Sequence, residues 1–139
     1  MRGIYSLIFD LPQVSVYRWR IDKGVYTYIG SALREGLLNS RIRRHLFHPK
    51  KVFWHIDHIT TKKIPYAVVY AYTKNKMECK LSRVIEKDAV AIKGFGSSDC
   101  KCKSHLYRLD KNKIDSIIYM EELYRYLRLE PIVYIPRKH

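Results

Sequence analysis

Gly3-Ile4-Tyr5-Ser6-Leu7-Ile8-Phe9 and Val25-Tyr26-Thr27-Tyr28-Ile29-Gly30 decide how this chain folds. Both stretches are rich in Ile, Tyr and Phe, side chains that fit a pleated, half-buried surface. Residues 2 to 9 read as a strand stopped by Asp10-Leu11-Pro12. Val25 to Ile29 read as another, closing at Gly30-Ser31-Ala32, where a glycine allows close backbone approach. Between them Val14 to Trp19 alternates with period two and reads as one half-exposed strand. Asp22-Lys23-Gly24 reads as a turn. Matching register in the two long strands would bring Tyr5 and Tyr28 onto one sheet face.

Further along, Leu38, Ile42 and Leu46 recur every four residues and mark one helix face. Asn39-Ser40 offers an alternative, capping a shorter helix that begins at Arg41. In either case Arg41 and His45 stand one turn apart on one flank. Lys51 to Thr61 reads as a short helix, and Ala67 to Tyr72 as a central strand. Met77, Leu81, Val84 and Ile85 mark a second amphipathic helix. Gly94 to Asp99 reads as a loop and Ser104 to Leu109 as a short strand. Residues 111 to 128 carry a helical stripe of Ile114, Ile117, Ile118, Tyr124 and Leu127. Ile132 to Ile135 reads as an edge strand between Pro131 and Pro136.

The 139 residues suit one domain. No apolar run reaches the ~20 residues that span a bilayer, and no secretory leader is evident at the start, so the expected location is the cytoplasm. With 27 Lys and Arg against 13 Asp and Glu, the net charge is +14. A surplus of that size suits a polyanion. Nucleic acid is favoured because 12 Tyr and 2 Trp accompany the charge and can stack on bases. An anionic membrane fits less well, since no basic amphipathic helix stands out. Three cysteines, Cys79, Cys100 and Cys102, are too few and too odd for a disulfide framework.

The order Gly3-Ile4-Tyr5, Tyr28-Ile29-Gly30, Arg41, His45, Glu78 resembles the GIY-YIG nuclease superfamily. Phe53-Trp54-His55-Ile56-Asp57 and the stretch from Gly94 to Leu106 resemble one branch of it, often called DUF123 or Uri-type endonucleases. The likeness covers roughly residues 3 to 107. It implies an α+β fold, a small, mainly antiparallel sheet flanked by helices with an extended N-terminal hairpin. Residues 1 to 110 would form the nuclease-like domain. Residues 111 to 139, a C-terminal helix and tail, would pack on that domain or supply a homodimer contact.

The resemblance also implies a metal-dependent endonuclease that hydrolyses phosphodiester bonds in DNA with one Mg²⁺ or Mn²⁺. Such hydrolysis needs a nucleophilic water, a proton acceptor and positive charge on the phosphorane. Tyr28 would accept the proton and Tyr5 would position water or phosphate. A phenol ionises at about 10 and needs nearby cations to become a useful base. Arg41 stays charged and can grip phosphate oxygens in a fork, His45 would relay a proton, and Glu78 would hold the metal. Substrate contacts are expected from Gly30, Ser31, Arg44, His55, Ser97 and Ser98. Each residue alone has a plainer reading: tyrosines belong in strands, and a glutamate is favoured at a helix start. Only the ordered set points to catalysis.

Two departures from the resembled pattern stand out. Tyr5 and Tyr28 are 23 positions apart, which fits an enlarged hairpin through Val14 to Arg20. No asparagine follows Glu78 before Asn112, so Ser97, Ser98 or Asp99 would take that role. Cys100, Cys102 and His105 offer three soft zinc ligands. Cys79, His58 or Asp99 could supply a fourth, but two buried thiols and a hydrogen-bonded histidine are the favoured reading. The competing functions are a non-catalytic nucleic-acid-binding module on the same scaffold and, more distantly, a zinc-stabilised interaction domain.

Overall fold

The two long strands pair with each other, and the rest of the chain is arranged around that pair. A computed structural model describes residues 2–32, 34, 36–47, 54–96 and 102–136. The expectations set on Phe53, Ser97, Ser98, Asp99 and Cys100 lie outside the described residues. Strand β1 (Gly3–Leu11) runs antiparallel to β4 (Gly24–Ala32) from Gly3 opposite Ala32 to Leu11 opposite Gly24. β4 thus continues three residues beyond the expected stop at Ile29, because Gly30 to Ala32 still pair with Tyr5 to Gly3.

Val14 to Trp19 is not one strand. β2 (Val14–Val16) and β3 (Trp19–Ile21) form a hairpin over a turn at Tyr17-Arg18. Tyr17 holds a positive φ of 50°, the backbone that glycine or asparagine would usually signal. Neither is present, so the turn left no mark in the sequence. The hairpin keeps the register of β1 and β4, with Val14 opposite Ile21 and Val16 opposite Trp19. The extra length therefore sits beyond the β1–β4 ladder and leaves the tyrosines in register.

Helix α1 (Leu37–Leu46) follows Gly36, whose φ is 83°. It is the longer of the two alternatives. Leu38, Ile42 and His45 point inward, while Leu46 is half-buried. Then come α2 (Asp57–Thr60), β5 (Ala67–Tyr72), α3 (Glu78–Ile85) and β6 (Val90–Ala91). β7 (Leu106–Leu109), α4 (Lys113–Tyr126) and β8 (Ile132–Tyr134) complete the chain. The six-stranded sheet has the order β6-β7-β4-β1-β5-β8, antiparallel throughout. The fold is α+β. β6, two residues long, has no counterpart in the sequence reading, because so short a run carries no periodicity.

Both faces of the sheet are covered, which is why β1 reads as a near-continuous apolar run. Tyr5, Leu7, Phe9, Tyr26 and Tyr28 pack in one core with Leu38 and Ile42 of α1 and Ile59 of α2. Ile4, Ile8 and Ile29 pack in a second with Leu81 and Ile85 of α3 and Met120 and Tyr124 of α4. Each such side chain contributes roughly 1.5–3 kcal/mol when fully buried.

The C-terminal helix packs on the sheet by part of the expected stripe: Tyr124 is buried, and Ile117 and Leu127 pack against the same core. Ser116, Met120, Leu123 and Tyr124 are buried, whereas Ile114 and Ile118 are exposed. A buried polar pair helps set this rotation. The Tyr124 hydroxyl lies 2.8 Å from Ser6 Oγ and donates to the Val69 carbonyl at 3.0 Å. Asn112 caps the helix by accepting from the Asp115 amide at 2.8 Å. No helix among the described residues is long and apolar enough to cross a membrane.

Candidate active site

The glycines of both signature strands make room for neighbours. A Cβ on Gly30 would stand 2.4 Å from Cζ and Oη of Tyr5, because the Tyr5 ring crosses from β1 over the opposing glycine. A Cβ on Gly3 would meet the Ala71 carbonyl of β5 at 2.1 Å and Leu38 of α1 at 2.8 Å. Gly96, at φ 69°, brings its loop against the Tyr28 ring, with a hypothetical Cβ 3.0 Å from Tyr28 Cε1. Glycine is needed at these points for proximity.

With Tyr5 opposite Gly30 and Leu7 opposite Tyr28, both tyrosines lie on one sheet face, as matching register required. Tyr5 Oη is 3.1 Å from His45 Nε2 of α1, a hydrogen bond whose donor follows the histidine tautomer. Arg41, one turn earlier, donates to the Ser31 carbonyl at the end of β4. Its guanidinium also sits 5.2 Å from the centre of the Trp54 ring, within cation–π range.

Glu78 opens α3, and its side chain is 18% exposed. Tyr5, Tyr28, Gly30, Ser31, Arg41 and Glu78 line one cleft of about 170 Å³ together with Trp54, Lys76, Gly96 and His105. Six elements or their flanks contribute to it: β1, β4, α1, α2, α3 and β7. Trp54, Gly96 and His105 lie within the two stretches that carried the finer resemblance, although none was singled out as lining a catalytic cleft. Lys76, two residues before Glu78, carried no signal.

Other expected residues stand behind the cleft. His45 reaches it through Tyr5. Arg44 forms an ion pair with the wholly buried Asp57 at 2.7 Å, and Asp57 also accepts from the Trp54 amide at 3.0 Å. The Arg44 guanidinium lies 5.0 Å from the Trp54 ring centre, so this pair steadies a cleft wall. His55 Nδ1 accepts from the Gly96 amide at 2.8 Å, and its ring packs on Trp19 and Phe95. Burial, and then Arg18 and His58, push the His55 pKa down, which favours the neutral ring this bond requires.

Burial governs the tyrosines as well. The pKa values of Tyr5 and Tyr28 are both raised, by desolvation first, while Arg41 opposes only part of the effect. Arg41 lowers both values, as a nearby cation should, but burial outweighs it. Both hydroxyls are neutral at ordinary pH.

Glu78 supplies a hard oxygen ligand at the cleft, and 170 Å³ leaves room for several waters, so a single Mg²⁺ or Mn²⁺ fits the donor set. Beside it, Cys79, Cys102 and His105 hold their potential ligand atoms within 4.8 Å of one another and could hold a metal ion. Cys79, offered by the sequence only as a fourth ligand to Cys100, Cys102 and His105, thus stands beside two of those three.

The family described as Domain of unknown function DUF123 matches residues 4–126. No curated protein and no solved structure matches the chain.

Proposed function

The chain belongs to the DUF123 family, and we propose that it is a GIY-YIG-type endonuclease hydrolysing phosphodiester bonds in DNA with one Mg²⁺ or Mn²⁺. The observation that carries this reading is the meeting of Tyr5, Tyr28, Arg41 and Glu78, distant in sequence, in one cleft. A bound ion would polarise the phosphodiester and acidify a water, and Glu78 is the residue to hold it. Arg41, fixed by the Ser31 carbonyl and Trp54, offsets charge gathering on the phosphorane.

A neutral tyrosine can take a proton from water only by passing its own to a base. Tyr5 has such a base in His45 at 3.1 Å, so the proton path runs through Tyr5 and His45, with Tyr28 orienting the water. That reverses the roles expected for the two tyrosines. The net charge of +14 supplies sequence-independent affinity for phosphates.

The test is nicking of plasmid and branched DNA with Mg²⁺ or Mn²⁺ by wild type, Glu78→Ala, Tyr5→Phe and Tyr28→Phe. Glu78→Ala should abolish cleavage. Tyr5→Phe should slow it roughly 10²–10⁴-fold, the usual worth of a positioned acid–base group. Equal activity in all four proteins would sink the assignment. Salt-sensitive binding without turnover under either metal would support the non-catalytic binding module instead.

A further inference from the structure

We propose that Cys79, Cys102 and His105 form a zinc site beside Glu78, built on ligands other than Glu78 and argued without the nuclease reading. The three potential ligand atoms lie within 4.8 Å of one another. In a tetrahedral site, Zn–S bonds of ~2.3 Å and Zn–N bonds of ~2.0 Å place ligands about 3.5–3.8 Å apart. The cluster needs to contract by only about 1 Å to reach that geometry. Two thiolates and an imidazole are soft and borderline donors, which select zinc over Mg²⁺ or Ca²⁺. Their two negative charges neutralise the ion.

The ligands sit on rigid supports. Cys79 is the second residue of α3, where the helix dipole favours a thiolate. The His105 backbone is clamped on both sides: its carbonyl accepts from Ile29 and its amide donates to Phe95. His105 is buried and both cysteines are half-buried, which shelters the metal and leaves it a way in. Water is available for the fourth position.

Zinc here ties the segment entering β7 to the first turn of α3. Glu78 immediately precedes Cys79, and its carboxylate lies 3.8 Å from His105 Nδ1. The zinc site therefore fixes where the Glu78 carboxylate stands at the cleft.

The full chain, purified without an affinity tag or chelator, should carry about one zinc per molecule by elemental analysis. Cys79→Ser and Cys102→Ser should each lose most of it. Co²⁺ added to chelator-treated wild type should give a thiolate-to-cobalt charge-transfer band, absent from folded Cys79→Ser, and zinc should raise the Tm of wild type alone. Because a cysteine variant could fail to fold, the band and Tm shift in wild type stand as separate tests. Substoichiometric zinc with no cobalt band would overturn the site. Full zinc retention by folded Cys79→Ser would overturn its assignment to these residues. None of these readouts depends on DNA cleavage.

Discussion

Gly30→Ala is the smallest change that tests how the cleft is built. The new Cβ would lie 2.4 Å from Cζ and Oη of Tyr5, whereas non-bonded carbons settle at about 3.5–4.0 Å. The ring must move by about 1 Å, yet Tyr5 is only 3% exposed and is packed against its neighbours. Overpacking of this kind costs about 1–3 kcal/mol. The 3.1 Å bond to His45 is lost with the movement, adding about 1 kcal/mol. Reduced freedom of the unfolded chain returns about 0.4–1 kcal/mol, since the φ of Gly30 is not positive. The net expectation is a loss of about 1–3.5 kcal/mol, read as a lower urea midpoint with an unchanged slope.

A double-mutant cycle separates this mechanism from a generic loss of packing. Tyr5→Ala alone should cost about 3–5 kcal/mol through the cavity it opens. In Gly30→Ala/Tyr5→Ala the new methyl meets no ring, so the pair should cost about 2 kcal/mol less than the sum of the singles. A Gly30→Ala protein within 0.5 kcal/mol of wild type (about the scatter of neutral surface changes), or strict additivity in the double variant, would refute the account of Gly30 as space for Tyr5.

Two further outcomes follow from buried polar groups. Arg44→Ala should destabilise the fold by about 3 kcal/mol or more, because it strips the guanidinium from the 0% exposed Asp57. Asp57→Asn should cost less, about 1.5–3 kcal/mol, since Arg44, 22% exposed, can turn to water; urea unfolding that ranks the two variants the other way would contradict this. In alkali, burial holds Tyr66 up to about 12, and Tyr5, Tyr28 and Tyr124 are raised by the same cause. A folded-state pKa above the ordinary value of about 10 means that stability is fully present below that pH and is lost as pH rises through the folded values. Phenolate absorbance should therefore show these four tyrosines ionising above about pH 10, together with loss of circular dichroism. A single step near pH 10 in a protein that stays folded would refute it.

Much of the fold can be read along the chain because periodicity reports burial directly. β1, β5 and α3 declare themselves by apolar runs and stripes, and Gly30 flags close approach. The charge of +14 and the order of Tyr5, Tyr28, Arg41, His45 and Glu78 are likewise properties of the sequence itself. Periodicity says that a side chain is buried, however, and not what it is buried against. The Tyr17-Arg18 turn lacks a glycine or asparagine to announce it, and Ile114 and Ile118 of the α4 stripe face outward although Ile117, Tyr124 and Leu127 face the core, because an isoleucine counts as apolar wherever it points. Long-range pairing alone set Tyr5 over Gly30, brought the cleft residues together and seated Arg44 on Asp57. It also placed Cys79 beside Cys102 and His105. The same burial that builds this cleft raises the pKa of its two tyrosines, and burial is a property of the packed protein that residue identity does not carry.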